Sequence, residues 1–145
     1  MTLKGYIMNN IYLYTIGFTK KNAQTFFSKL REAEINKVID IRLNNISQLS
    51  GFAKRDDLKF FLQELCSCDY EHKPMLAPSK EILDAYKNKQ ISWSEYSKQF
   101  NELLNKRNAV TILNFSELHK SCLLCSESEP YHCHRKLVAE YLKYY

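Results

Sequence analysis

Short apolar runs rich in β-branched and aromatic residues alternate along this chain with longer segments whose apolar residues recur at helical spacing. Few architectures accommodate that order. Ile11-Tyr12-Leu13-Tyr14-Thr15-Ile16, ending at Gly17, reads as a buried strand. Residues 22–31 follow, with Ala23, Phe26, Phe27 and Leu30 on one face of a helix. Val38-Ile39-Asp40-Ile41 is a second strand, residues 44–51 are polar and loop-like, and residues 56–66 form a helix through Leu58, Phe61, Leu62 and Leu65. Tyr70-Glu71-His72-Lys73 alternates and stops at Pro74, which suits a short strand. Pro78-Ser79 opens a helix carrying Ile82, Leu83 and Tyr86. Ser92-Trp93-Ser94-Glu95 is a capping box for another, which presents Tyr96, Phe100, Leu103 and Leu104. Residues 109–113 and Cys122-Leu123-Leu124 read as the last strands. Pro130 suits the first turn of a final helix whose Leu137, Val138, Tyr141 and Leu142 face the core. The pattern predicts an α/β layered fold with a mostly parallel sheet flanked by helices. With 145 residues, no internal repeat and no linker, one domain over residues 1–145 is expected.

Composition removes several classes. At 45% hydrophobic and 13% aromatic residues the chain is globular in character. No stretch approaches a membrane span, and residues 1–6 lack the apolar run of an export signal. The five cysteines are therefore expected to be reduced thiols in a cytosolic protein. A net charge of +5 is compatible with a small anionic ligand or nucleic acid, and equally with an ordinary solvated surface. Nothing in the sequence sets an oligomeric state.

The stretch from Leu123 to Arg135 holds two cysteines, two histidines, two glutamates and an arginine, a mixture that packing has little use for. Its position matters as much as its content. In open parallel sheets, ligands bind outside the carboxyl ends of the strands. Thr15-Ile16-Gly17, Asp40-Ile41-Arg42 and Cys125-Ser126-Glu127 each follow directly on an apolar run, so parallel strands would bring them to one edge, with Cys133-His134-Arg135 beside them. A cleft containing Thr15, Gly17, Asp40, Arg42, Cys125, Glu127, Cys133, His134 and Arg135 is the expectation.

These residues have matching chemistry. Gly17 permits a sharp turn with exposed N–H groups. Arg42 and Arg135 can clamp a phosphate or carboxylate, with Thr15, Gly17 and Asp40 completing the substrate-binding set. A helix N-terminus and Arg135 would favour the thiolate of Cys133. His134 or His132 can exchange protons near neutral pH, and Glu127 can orient a histidine. The catalytic candidates are thus Cys125, Cys133, His134 and Glu127. Structural alternatives stand beside them: Asp40 with Arg42, and Glu127 with Arg135, as plain ion pairs, and Cys125 as a small buried hydrophobe. Trp93, Tyr96 and Phe100 read as core.

Cys122, Cys125, Cys133 and His134 also give C-x2-C-x7-C-H, four zinc-type donors. Strand alternation puts Cys122 and Cys125 on opposite faces, and neighbours on a helix diverge. That leaves a looser metal site of Cys125, Cys133 and His134 as the alternative. Neither Cys125 nor Cys133 has an arginine at Cys-x5-Arg spacing, and neither a Walker loop nor Gly-x-Gly-x-x-Gly occurs.

Three motifs resemble those of the domain-of-unknown-function 488 family of small bacterial and archaeal proteins. Tyr14-Thr15-Ile16-Gly17-Phe18-Thr19 resembles its opening Thr-Ile-Gly-His-Ser, and Val38-Ile39-Asp40-Ile41-Arg42 its Val-Asp-Val-Arg strand. Leu124-Cys125-Ser126-Glu127 with Cys133-His134-Arg135 is similar to its closing Leu-Cys-x-Glu and Cys-His-Arg. Tyr70-Glu71-His72 and Leu76 resemble the central segment, so the likeness runs over roughly residues 11–142. Phe18 stands where many relatives carry histidine; if that histidine is catalytic or a ligand, this chain lacks one group of the site or belongs to a branch that does without it. The resemblance implies an α/β fold and no settled activity. An enzyme acting on a small anionic or nucleotide-type substrate, a non-catalytic nucleotide or nucleic-acid binding module, and a metal-binding protein using the C-terminal Cys/His cluster remain as the three expectations.

Overall fold

A computed structural model of the protein describes residues 3–18, 21–44, 51–126 and 132–144. Five strands, β1 (Lys4–Met8), β2 (Ile11–Gly17), β3 (Lys37–Asp40), β4 (Asp69–His72) and β5 (Ser121–Cys125), form one sheet in the order β1-β2-β5-β3-β4. Every pairing but β1 with β2 is parallel. Among the described residues five α-helices accompany them: α1 (Ala23–Glu32), α2 (Arg55–Cys66), α3 (Lys80–Lys87), α4 (Trp93–Lys106) and α5 (His134–Lys143). The sheet is thus mostly parallel, as the alternating pattern implies.

Strand alternation divides the core in two. Leu13, Ile39, Ile41, Leu123 and Cys125 join one apolar cluster with α4 and α5 residues such as Phe100, Leu104, Val138 and Leu142. Ile16, Val38, Cys122 and Leu124 join another with Phe26, Phe27 and Leu30 of α1 and Leu58 and Leu62 of α2. All five residues of β5 are buried, as a central strand covered on both faces requires. Cys122 and Cys125 belong to different clusters, which follows from their odd spacing.

Polar side chains start the helices where the sequence places them. Asn22 Oδ1 accepts from Thr25 N at 2.8 Å, Ser79 Oγ from Ile82 N at 3.2 Å and Ser92 Oγ from Glu95 N at 3.1 Å. The Ser92 capping box is only half closed: Glu95 Oε1 accepts from Gln99 Nε2 instead.

Two elements differ from expectation. β1 has no counterpart in the apolar pattern. It is held to β2 by a two-residue turn in which Asn9 and Asn10 have φ of 47° and 66°, the left-handed pair of a type I′ hairpin. Residues 109–113, expected as a strand, contain instead the 3-10 turn Ala109–Thr111. Asn108 enters it at φ 52°, and Thr111 Oγ1 donates to the Asn108 carbonyl at 2.8 Å. That local bond gives the β-branched segment an alternative to a sheet partner. The Pro130 assignment and most of the 44–51 loop lie outside the described residues; α5 itself begins at His134.

Candidate functional site at the carboxyl edge of the sheet

Because β2, β5, β3 and β4 run in parallel, their carboxyl ends share one edge. Gly17 stands opposite Cys125 and Asp40 opposite Leu124. The strand ends carrying Gly17, Asp40 and Cys125 therefore meet at one edge. A cleft of about 1130 Å³ opens there, lined by Arg42, Cys125, Cys133 and His134 together with the facing parts of α3 and α4.

Arg42 is the most tightly held of these. Its side chain is 2% exposed, and Asp40 grips it bidentately: Nε donates to Oδ1 at 2.8 Å and Nη2 to Oδ2 at 2.7 Å. Asp40 also accepts the Arg42 backbone N–H at 3.1 Å and the Tyr70 hydroxyl at 2.5 Å. With four donors on two oxygens, Asp40 is a positioning residue with little capacity left for proton transfer. The Phe18 ring lies 5.2 Å from the guanidinium carbon and supplies a cation–π face. Nη1 of Arg42 is buried and has no hydrogen-bond partner among the described residues. Such a group is costly to leave unmade, by roughly 1–3 kcal/mol.

Two histidines pin the backbone that carries Arg42. His134 Nε2 bonds the Ile41 carbonyl at 2.7 Å, and His72 Nε2 bonds the Arg42 carbonyl at 2.8 Å. A carbonyl only accepts, so each Nε2 carries the proton, and Nδ1 of His134 keeps its lone pair. Burial pulls the His134 pKa down to about 4. The Ile41 carbonyl opposes this, Arg135 adds to it and Asp40 opposes it. His134 is therefore a neutral base near pH 7.

Cys133 is the N-cap of α5, at φ −130° and ψ 140°. Cys133 therefore lies outside the helix, and the expectation that it diverges from His134 as a helical neighbour does not hold. The ligand atoms of Cys125, Cys133 and His134 lie within 4.8 Å of one another, a group able to hold a metal. The sulfurs of Cys125 and Cys133 are joined, with Cα atoms 7.6 Å apart, while Cys66, Cys68 and Cys122 are free thiols. The expectation of five reduced thiols fails for this pair. Cys122, in the opposite cluster, is not part of the group, which rules out the four-donor zinc arrangement. Arg135 is fully buried behind the site and donates from Nη1 to Cys125 Sγ at 3.0 Å.

The other expected residues are placed as follows. Thr15 is buried in β2 beside Leu123 of β5, its hydroxyl without a hydrogen-bond partner among the described residues. Gly17 ends β2 with no positive φ, so it makes no left-handed turn; its place opposite Cys125 is what it contributes. Neither Thr15, Asp40 nor Arg135 lines the cleft. Glu127 lies outside the described residues.

Sequence reasoning missed the far wall. Lys80, Lys87 and Lys89 line the cleft with Tyr86 and Tyr96, and Asp84 is the one acidic residue among the described lining, paired with Lys80 at 2.6 Å. His132 packs against Trp93 with ring centroids 5.0 Å apart, which carries part of the aromatic series to the cleft; Tyr96 and Phe100 are buried core. Missed too was Tyr70, although parallel pairing of Val38 with Tyr70 sets it diagonal to Asp40 on the same face.

No helix among the described residues is long and apolar enough to cross a membrane. A family model described as domain of unknown function DUF488 matches residues 22–142. No curated protein and no solved structure matches.

Proposed function

The chain belongs to the DUF488 family, a name that assigns no activity, and from the chemistry of the cleft we propose that it is an enzyme acting on a small anionic substrate, of nucleotide type or a nucleic-acid component. The observation that carries this is Arg42. It is a buried guanidinium fixed by Asp40, with an N–H unpartnered among the described residues, on a cleft whose other cations are Lys80, Lys87 and Lys89. An anion repays the cost of that N–H and gains bidentate geometry from the arginine. Tyr86, half-buried on the cleft, offers ring surface for a base or another planar group.

The reacting groups lie beside the anion site. In a reducing cytosol the Cys125–Cys133 pair opens to two thiols. The thiolate of Cys133 is favoured by its N-cap position, and that of Cys125 by the Arg135 guanidinium. His134, neutral and with Nδ1 unprotonated, offers a hydrogen-bond acceptor beside the thiols, and its pKa of about 4 leaves the proton to solvent rather than to the imidazole. Asp40, Tyr70 and His72 position Arg42 without touching substrate. We take the chain to be one layered domain built to hold this edge.

A binding module without turnover is the second reading, favoured by the joined sulfurs, which leave neither Cys125 nor Cys133 free to attack. Melting curves of the reduced protein with inorganic phosphate, nucleoside monophosphates and dicarboxylates test the common premise. A ligand present at 100 times its Kd adds roughly 2.7 kcal/mol to stability. A rise in Tm with at least one of these anions, absent in Arg42→Gln, is expected. No rise with any of them refutes the proposal. Cys133→Ser then separates the two readings: it abolishes turnover but not binding in an enzyme, and changes neither in a module.

A further inference from the structure

Two sulfurs and an imidazole nitrogen come within 4.8 Å of one another at Cys125, Cys133 and His134, and three features of their surroundings suit a metal better than packing. The Cα atoms of the two cysteines are 7.6 Å apart, wider than the about 4.4–6.8 Å that disulfides usually span. The backbones are spaced for something between the sulfurs, and an ion making two metal–sulfur bonds of about 2.3 Å fits there. His134 donates Nε2–H to the Ile41 carbonyl at 2.7 Å, the outer partner that metal-bound imidazoles have, with Nδ1 left as the ligand atom. Arg135 Nη1 donates to Cys125 Sγ at 3.0 Å, a bond that favours a thiolate. All three donors line the cleft, so a fourth coordination position would face it.

We infer that the reduced protein binds one thiophilic divalent ion, zinc foremost, on Cys125, Cys133 and His134, with the fourth position open to the cleft. Two thiolates and one imidazole match zinc's ligand preference, and three protein ligands with an open position are the arrangement of catalytic zinc. The inference keeps the anion reading but replaces the cysteine nucleophile, because Cys125, Cys133 and His134 cannot ligate a metal and also attack or take a proton, and it rests on the anion reading only for what fills the fourth position: an oxygen of the anion, or a water polarised beside it.

Loading requires the sulfurs to part. A dithiol reductant cleaves the Cys125–Cys133 bond by thiol–disulfide exchange and leaves as its own disulfide, so two electrons and two protons pass to the cysteines. The ion then displaces both thiol protons to solvent and takes the imidazole lone pair, which makes the site a thiolate–thiolate–imidazole set.

The test uses the full chain, purified without an affinity tag, reduced with a dithiol, freed of it anaerobically, and titrated with cobalt(II) and then zinc. One cobalt per chain is expected, with a thiolate-to-cobalt charge-transfer band that zinc abolishes. Alkylation mapped by mass spectrometry is expected to show Cys125 and Cys133 protected by the metal and Cys66 unaffected. Because protection is read in the wild type, it does not depend on a variant folding. Cys125→Ser and Cys133→Ser should each weaken binding by more than about 100-fold, since outer partners alone are worth roughly 10–100-fold. Absence of the band in reduced wild type, or protection falling on Cys66 and Cys68 instead, overturns the inference. A cobalt spectrum unmoved by phosphate upholds the metal site and removes only the anion reading; phosphate binding with no cobalt bound does the reverse.

Discussion

His134 reaches across 93 positions of sequence to donate its Nε2–H to the carbonyl of Ile41 at 2.7 Å. That bond ties the start of α5 to the end of β3, and it sits one residue from the guanidinium that anchors the cleft. His72 bonds the next carbonyl, that of Arg42. The two histidines thus hold consecutive carbonyls, and Arg42 has its backbone fixed as well as its side chain.

The burial of His134 makes stability depend on pH on the acid side. Its pKa lies at about 4 in the fold, chiefly through burial, against about 6.5 in an unfolded chain. Between those values the unfolded chain takes up a proton that the fold refuses. The contribution is therefore complete above about pH 6.5 and is lost as pH falls toward 4. Its full size is at most about 3–4 kcal/mol. Urea midpoints of the metal-free reduced protein at pH 7 and pH 4.5, compared with His134→Gln, measure it: the variant should lose less on acidification. Equal losses would contradict a neutral His134.

Asp40 satisfies Arg42 and receives Tyr70. Asp40→Asn leaves a buried guanidinium without its counter-charge and should cost about 3–5 kcal/mol in urea unfolding. Tyr70→Phe removes one bond to that carboxylate and should cost about 1–3 kcal/mol. The double variant should fall short of the sum, because both substitutions act on one network. Additive losses would mean that Tyr70 acts independently of the pair.

The free thiols should divide by depth. Burial pushes the Cys68 thiol up to about 12, with Cys66 and Asp69 adding, and raises Cys122 well above its usual value. Thiol reactivity follows the thiolate. Iodoacetamide at pH 8 should therefore leave Cys68 and Cys122 unmodified in the native protein and label both in urea, as peptide mass spectrometry will show. Native labelling of Cys122 at the rate seen in urea would contradict its place between the sheet and α1.

How far the sequence discloses this site can be argued residue by residue. The apolar runs and helical faces carry period, and period suffices to bring Gly17, Asp40 and Cys125 to one edge and to send Cys122 to the other side of the sheet. Residues 109–113 have strand composition, but composition does not show that Asn108 adopts a left-handed backbone and folds the segment into a turn. β1 escapes because an edge strand needs no continuous apolar run, although Asn9-Asn10 is a readable hairpin signal. Lys80, Lys87 and Lys89 look like solvated helix residues until α3 faces the carboxyl edge. That Cys133 and His134 both come close to Cys125 depends on where α5 starts and how it docks, which no spacing rule contains.

The central claim is that a cationic cleft and the Cys125–Cys133 thiols form one site. Alkylation of the reduced, metal-free protein with iodoacetate and with iodoacetamide tests it directly, since the two reagents differ in charge. Relative to the unfolded chain, the anionic reagent should gain at Cys125 or Cys133, and the gain should vanish in Arg42→Gln and fall with added phosphate. The same iodoacetate-to-iodoacetamide rate ratio in folded and unfolded protein would contradict the claim, because thiols beside an anion-binding arginine must sense the charge of what approaches them.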